Sequence, residues 1–295
     1  MLDRASTFAD PEIIKLLQTR FVPVAIDQAY QRRQQDAEGD FYRKIAGQGP
    51  RKNFQGTTQG LYVATADGKF LAFNNNRGPE RVMRVLKKAL ADFRPTGAAA
   101  IKRGKPDARY NPSPPKGGLV VRVRAKVLGG YEPTADPWKR IFQTAISRDN
   151  LWISKREHEA LVRGELPKSL QVRIARFHLV DNTRGEPPMW KESEIRGLEL
   201  SLKDGKLRGT ARLKTASGER GFDAELFGVV ESKSGKITRF DIVAKGQFWG
   251  AGRFTGGAPK GKFPLAVSFT LADGSDTADP IPPQGSRGWV RGYVR

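Results

Sequence analysis

The chain predicts two folded parts. One is an α/β part over residues 1–94. The other is an α+β part over residues 119–295 with a mainly antiparallel sheet. Three observations carry this division. Helical and strand patterns alternate along residues 11–92. Residues 94–118, "RPTGAAAIKRGKPDARYNPSPPKGG", are rich in proline and glycine and lack apolar periodicity, so 95–118 reads as a linker. Beyond it, apolar runs separated by Asp-Gly and Ser-Gly pairs read as an antiparallel meander.

In the first part, Asp10-Pro11-Glu12 opens a helix: an acceptor cap, proline in the first turn and a carboxylate at the positive end of the dipole. Ile13, Ile14, Leu16 and Leu17 make its apolar face. Residues 21–27 read as a short buried strand, and Pro23, lacking an N–H, sets it at an edge or strand start. Residues 36–46 look helical with Phe41, Ile45 and Ala46 inward. Two short runs at 60–64 and 70–73 form a hairpin around Asp67-Gly68. Pro79 opens a last helix in which Val82, Val85, Leu86 and Leu90 recur at helical spacing.

The resulting order is α-β-α-β-β-α. The segment "FADPEIIKLLQTRFVPVAID" resembles the stretch that follows the redox motif in thioredoxin-like proteins, and "QGLYVATADGKFLAF" resembles their terminal hairpin. The resemblance covers residues 5–93. It implies an α/β thioredoxin-like domain with its first strand missing, joined to a β-rich domain as in uncharacterised bacterial proteins. The redox cysteine pair belongs just before Ala5-Ser6-Thr7, where this chain has none, and the proline before the hairpin strand is missing near Thr58-Gln59. The chain contains no cysteine at all, and thiol–disulfide exchange requires a thiolate. Three sources could fill the place of the missing strand: an upstream segment of a longer native product, residues 119–128, or a strand added by a partner chain.

The second part starts with a strand at 119–127, where apolar and basic residues alternate as on a strand with one wet face. Ser154 to Glu157 is a capping box. A further helix starts at Pro167 or Ser169 and ends near His178. Strands at 198–202 and 207–213 flank Asp204-Gly205, and strands at 222–230 and 237–244 flank Ser234-Gly235. Residues 263–271 add another. A twisted antiparallel sheet or partial barrel follows from this order.

The 295 residues carry 52 Lys and Arg against 31 Asp and Glu, a net charge of +21 spread without a dense block. This leaves a solvated basic surface or attraction to a polyanion open, nucleic acid among the options. No apolar run reaches transmembrane length. Met1 to Arg4 lacks an apolar signal segment, so a soluble protein without a signal peptide is expected; the compartment stays open.

Two stretches hold the candidate site residues. "RFHLVDNTRGEPPMW", residues 176–190, offers His178, Asp181, Asn182, Arg184, Glu186 and Trp190 to a ligand pocket or an enzyme site. Read as structure, the same loop would pair Arg184 with Glu186, cap a turn with Asp181 or Asn182, and lay Trp190 over the core. "KGQFWGAGRFTGG", residues 245–257, offers Lys245, Phe248, Trp249, Arg253 and Phe254 for stacking on bases or sugars. Read as structure, it is a bulge and turn with core aromatics. No metal or cofactor is expected. The spacing of His178, Asp181 and Glu186 fits no ligand motif, and the glycines of 250–257 lack the strand–helix setting of a phosphate loop. Asp273, Asp276 and Asp279 would attract a cation only weakly, and Trp289 would pin the proline-rich tail. No GxSxG or HExxH signature is present. The sequence therefore predicts a redox-inactive scaffold whose β-rich domain binds a protein partner or small ligand. The alternatives are a polyanion or nucleic-acid binder, and an enzyme with its site in the 176–190 loop.

Overall fold

The structure, a computed structural model, describes residues 2–95, 97, 102 and 104–294. Residues 96, 98–101 and 103 of the expected linker lie outside the described residues. The chain forms two compact units. One is Asp3–Pro112. The other is Ser113–Arg295, which also takes in Met1–Leu2.

In the first unit, helix α1 (Pro11–Arg20) starts as its residues dictate: Asp10 Oδ1 accepts from the N–H groups of Glu12 and Ile13, both at 3.0 Å. A single turn, α2 (Gln28–Gln31), leads to α3 (Ala37–Gly47), capped by Asp36. Tyr42 and Ala46 are its inward side chains, rather than Phe41 and Ile45. Strands β1 (Leu61–Ala64) and β2 (Phe70–Asn74) pair antiparallel around Asp67-Gly68, with Gly68 at φ 83°. Helix α4 (Pro79–Asp92) packs on the hairpin through Val82, Leu86 and Ala89, together with Ile13 of α1 and Val63 of β1.

The strand expected at 21–27 is not formed. The Phe21 N–H closes α1 by donating to the Leu17 carbonyl at 3.2 Å, and Pro23 has no N–H to give. No strand pairs with this segment among the described residues, and Val22 and Val24 are 90% and 75% exposed. Residues 119–128 do not fill the place either, because they pair within the second unit. Part of the expected linker belongs to the first unit. The Asp107 N–H donates to Asp36 Oδ2 at 2.7 Å, and Asp107 Oδ2 accepts from the Gln35 N–H at 2.9 Å.

The second unit is a seven-stranded antiparallel sheet. Its strands are β3 (Leu119–Val127), β4 (Asp149–Ile153), β5 (Ile195–Lys203), β6 (Lys206–Lys214), β7 (Gly221–Lys233), β8 (Lys236–Trp249) and β9 (Lys262–Leu271). They lie in the order β4-β3-β9-β8-β7-β6-β5. The sheet is open: no pairing joins β4 to β5 among the described residues. The turns Asp204-Gly205 and Ser234-Gly235 both hold two successive left-handed residues, at φ 50° and 70° and at φ 51° and 74°. That is the backbone twist two-residue hairpins favour. Helix α5 (Pro137–Thr144) follows β3, and α6 (Lys155–Val162) begins with the capping box of Ser154 and Glu157. Helix α7 (Lys168–Arg173) runs into a π turn at Ile174–His178. A last turn, α8 (Val290–Tyr293), ends the unit. The core lies between one face of the sheet and α6, α7 and the π turn. Phe222, Phe240, Phe263 and Phe269 meet Leu161, Leu170, Ile174 and Trp190 there.

Edge strands invite pairing with other chains unless covered. Here β4 is buried along its whole length, and the segment 273–281 lies against it. Asn150 Nδ2 donates to the carbonyls of Ala278 and Ile281 at 2.7 and 2.8 Å. Asp279 binds Arg122 through both oxygens at 2.8 Å and Arg148 at 2.9 Å. Asp276 joins Arg148 at 3.1 Å, and Asp273 joins Arg122. The three carboxylates therefore serve two arginines instead of a cation. The Arg122 hydrogen bonds hold the Asp279 carboxyl below the usual range. For Asp276 the Ala278 N–H acts first, and for Asp273 the Ser275 hydroxyl and N–H.

A depressed carboxylate stabilises the fold above its unfolded pKa and loses that contribution as pH falls. Urea unfolding followed by circular dichroism will show stability dropping below about pH 4. Asp279→Asn will cost about 3 kcal/mol at pH 7 and flatten the acid limb.

Candidate functional site

Within the 176–190 stretch, all but one of the candidate side chains turn inward. The π turn closes with the Leu179 N–H donating to the Ile174 carbonyl at 3.1 Å. It places His178 in the core, where Nε2 lies 2.5 Å from the Tyr293 hydroxyl and Nδ1 lies 3.2 Å from Asp149 Oδ2. Asp149 Oδ1 accepts from the N–H groups of Asn150 and Gln284 at 2.8 and 2.9 Å. All three members of this Asp–His–Tyr chain are buried, so it reaches protein groups only.

Beside it lies a second buried pair. Arg173 Nη1 donates to Glu157 Oε2 at 2.7 Å, and Nε donates to the Tyr293 carbonyl at 2.7 Å. Glu157 Oε1 accepts from the Ser169 hydroxyl at 2.7 Å. Burial alone would raise the Glu157 carboxyl. The bond and charge of Arg173, with Ser169 and Ser154, bring it below its ordinary value instead. Tyr293 thus anchors the C-terminal turn through its hydroxyl, its carbonyl and its ring. Trp289, expected to pin this tail, is 55% exposed.

Asp181 caps its turn through the Thr183 N–H and hydroxyl, at 3.1 and 2.6 Å. It also lies 2.6 Å from Arg184 Nη2, and both partners are buried. Arg184 therefore pairs with Asp181 and not with Glu186. Exposed Glu186 pairs with Arg287. Arg184 further donates to the Thr255 carbonyl at 3.2 Å and the Tyr131 hydroxyl at 3.1 Å. Asn182 reaches Gln284 at 3.3 Å, and Trp190 Nε1 donates to the Leu179 carbonyl at 2.8 Å. Each of the six candidate side chains meets at least one protein partner, although His178 Nδ1, Asp181 Oδ2 and Arg184 Nη2 are held by ion-pair proximity and not by a hydrogen bond.

The fold brings the two candidate stretches together. Arg184 meets Thr255, a Cβ on Gly185 would strike the Phe254 carbonyl, and the rings of Trp190 and Phe248 lie 6.3 Å apart. Strand alternation then divides the second stretch. Phe248 points into the core against Phe222 and Phe263, so it is no part of a stacking surface. Lys245 and Trp249 lie on the outer face of the sheet. The Trp249 indole lies over Gly221, where a Cβ would strike it, and Lys262 Nζ sits 4.6 Å from its centroid. Arg253 and Phe254 occupy the following loop, with Phe254 64% exposed.

The outer face holds residues not singled out in the sequence. Strand pairing lines up Arg124, Ser268, Val243, Phe227, Arg208 and Ser201 across β3, β9, β8, β7, β6 and β5. Phe227, between Val243 and Arg208 in this row, is 48% exposed. The next row runs Lys126, Ala266, Lys245, Glu225, Thr210 and Glu199. Strands sit about 4.8 Å apart, so Arg124 and Arg208 bracket roughly 19 Å of small and apolar side chains. Arg124, Lys126, Lys245 and Arg208 form no ion pair within 4 Å among the described residues, whereas Arg239 pairs with Asp241 and Lys262 with Asp223. The alternation of 122–126 signalled the basic wet face of β3. Only the register of β7 against β6 and β8 shows that Phe227 stands between Arg208 and Val243. Among the described residues, no cluster of three or more His, Asp or Glu side chains is placed to hold a metal ion, and no helix is long and apolar enough to cross a membrane.

Tyr293→Phe will leave His178 Nε2 without its partner and lower stability by about 1–2 kcal/mol in urea titrations. Burial, with the nearby Asp149 charge, pushes the Tyr293 hydroxyl well above its usual value. The unfolded chain ionises first, so wild-type stability will fall as pH rises above about 10, and the phenylalanine variant will lose less over that range. Comparison with family models, with curated proteins and with solved structures finds no match for this chain.

Proposed function

We propose that the protein binds single-stranded nucleic acid on the outer face of its seven-stranded sheet. The N-terminal unit would serve as a redox-inactive, thioredoxin-like scaffold. The observation that carries the binding reading is the row from Arg124 to Arg208, in which exposed Phe227 stands beside Arg208. A base can stack on an accessible aromatic whatever its identity, while flanking cations take the phosphates. An open antiparallel sheet presents both at fixed spacing. The net charge of +21 supplies long-range attraction to the same ligand. Lys126 and Lys245 add positive charge on the β3–β8 side of the neighbouring row, whose β7–β5 side carries Glu225 and Glu199, and Trp249 lies with Lys262 toward one end of β8.

The scaffold reading rests on the hairpin of β1 and β2 covered by α4, on the capped α1, and on the resemblance of those segments to thioredoxin-like proteins. The absence of cysteine removes thiol exchange. The 176–190 loop offers little support for a ligand pocket, since its donors and acceptors serve the fold.

Fluorescence anisotropy with a labelled oligothymidine tests the binding. The protein will bind at low salt, and log K will fall linearly with log salt by about 0.7 for each phosphate contact. Phe227→Ala will weaken binding by about 1–3 kcal/mol with the fold intact. The pair Arg124→Gln and Arg208→Gln will lower the salt slope by about 1.4. No binding at low salt, or equal binding by Phe227→Ala, would overturn the proposal.

A further inference from the structure

A second surface lies where the connection from β3 to β4 meets the loop from β8 to β9. Helix α5 carries Trp138, Ile141 and Phe142 at helical spacing, yet none of its eight residues is buried. Ile141 and Phe142 are half-buried, and Trp138 is exposed. The loop comes alongside the helix. A Cβ on Gly257 would stand 3.4 Å from the Phe142 ring, and Arg184 donates both to the Tyr131 hydroxyl, ahead of α5, and to the Thr255 carbonyl. Trp138 lies one turn from Phe142, and Phe254 lies three residues from Gly257. The backbone around Phe254 is fixed: Thr255 Oγ1 accepts from the Gly252 N–H at 2.6 Å, and Gly185 packs on the Phe254 carbonyl. The Phe254 ring still stands in solvent. Leu128 and Ile146, at the two ends of the connection that holds α5, are exposed as well. A single exposed apolar side chain is ordinary, whereas a group of them marks an interaction surface. Four cations accompany these side chains. Lys139, Arg140, Arg253 and Lys260 are all exposed and form no ion pair within 4 Å among the described residues. Arg253 lies 5.2 Å from the centroid of the Phe254 ring. Residues 128–146 and 250–261 hold two carboxylates, Glu132 and Asp136, and Asp136 caps α5.

We infer that this surface seats on an anionic lipid bilayer. The rings of Trp138 and Phe254 enter the interface, and the four cations meet the head groups. Aromatic side chains settle at the boundary between head groups and acyl chains, and apolar residues beside Lys and Arg are the make-up of an interfacial segment. Each cation near an anionic leaflet adds attraction that falls off within a Debye length, and the net charge of +21 draws the protein to the same surface. Charge alone would let many faces of the protein approach; the two rings select this one. The site does not depend on the outer-face reading, because its residues belong to α5 and to the loop after β8 rather than to the strand row of Phe227.

Co-sedimentation with phospholipid vesicles at about 0.15 M salt tests it. Wild-type protein will sediment with vesicles of phosphatidylcholine and phosphatidylserine and stay in solution with phosphatidylcholine alone. Trp138→Ala with Phe254→Ala, both changes at exposed side chains, will weaken the binding by at least about tenfold. Phe227→Ala will bind as wild type does, which separates this site from the outer face. Brominated acyl chains will quench part of the tryptophan emission, and Trp138→Phe, which keeps an apolar ring, will bind while losing that quenching. No sedimentation with the anionic vesicles, equal binding by the double variant, or unchanged quenching in Trp138→Phe would overturn the assignment.

Discussion

A guanidinium cannot stay buried without an anionic or carbonyl partner, and much of the C-terminal unit is arranged around that constraint. Arg173 is buried against Glu157 and Arg184 against Asp181, and half-buried Arg122 and Arg148 both meet buried Asp279. Arg184 and Asp181 lie three residues apart, whereas the other pairs tie together segments distant in the chain. Arg173 joins α7 to the start of α6 and to the terminal turn. Arg122 and Arg148 bind the 273–279 segment across β3 and the approach to β4. Breaking such a pair leaves a charge in a medium that solvates it poorly, which is far more costly than the pair is stabilising. The pairs therefore act as locks on topology more than as sources of net stability.

The same constraint sorts the positive charge by function. The interior carboxylates are committed to arginines, while the outer sheet face, which also carries Glu199, Asp223, Glu225 and Asp241, keeps some cations with no ion pair among the described residues. Arg124 and Arg208 are of this kind, and between them the sheet exposes Phe227. An exposed aromatic on a strand is ordinary by itself. Beside Arg208 in register and in one row with Arg124 on an open sheet, it offers a binding surface for a ligand that is both charged and stacked.

Much of the architecture was legible in the residues. Asp10, Asp36 and the Ser154–Glu157 box announced helix starts, and Asp204-Gly205 and Ser234-Gly235 announced hairpins, because capping and left-handed turn residues act over three or four positions. The 21–27 segment misled because a run of valine, alanine and isoleucine describes a strand only when a neighbour supplies its hydrogen bonds. Strand β4, with Asp149 and Asn150 buried at its start, carries no alternation to find. The candidate loop at 176–190 was correctly rich in functional groups, but their partners lie elsewhere in the chain. Tyr293 is 115 residues from His178, and Asp149 precedes it by 29. Local sequence cannot distinguish a donor aimed at a ligand from one aimed at a distant backbone.

The most direct test of the account is where nucleic acid touches the protein. Photocrosslinking of a thiouridine-substituted single strand, followed by mass spectrometry of the peptides, answers it. The account predicts crosslinks on β7 and β8, at Phe227 and Trp249. Crosslinks confined to residues 94–118, or to the first unit, would contradict it and return the outer face to the role of a solvated surface.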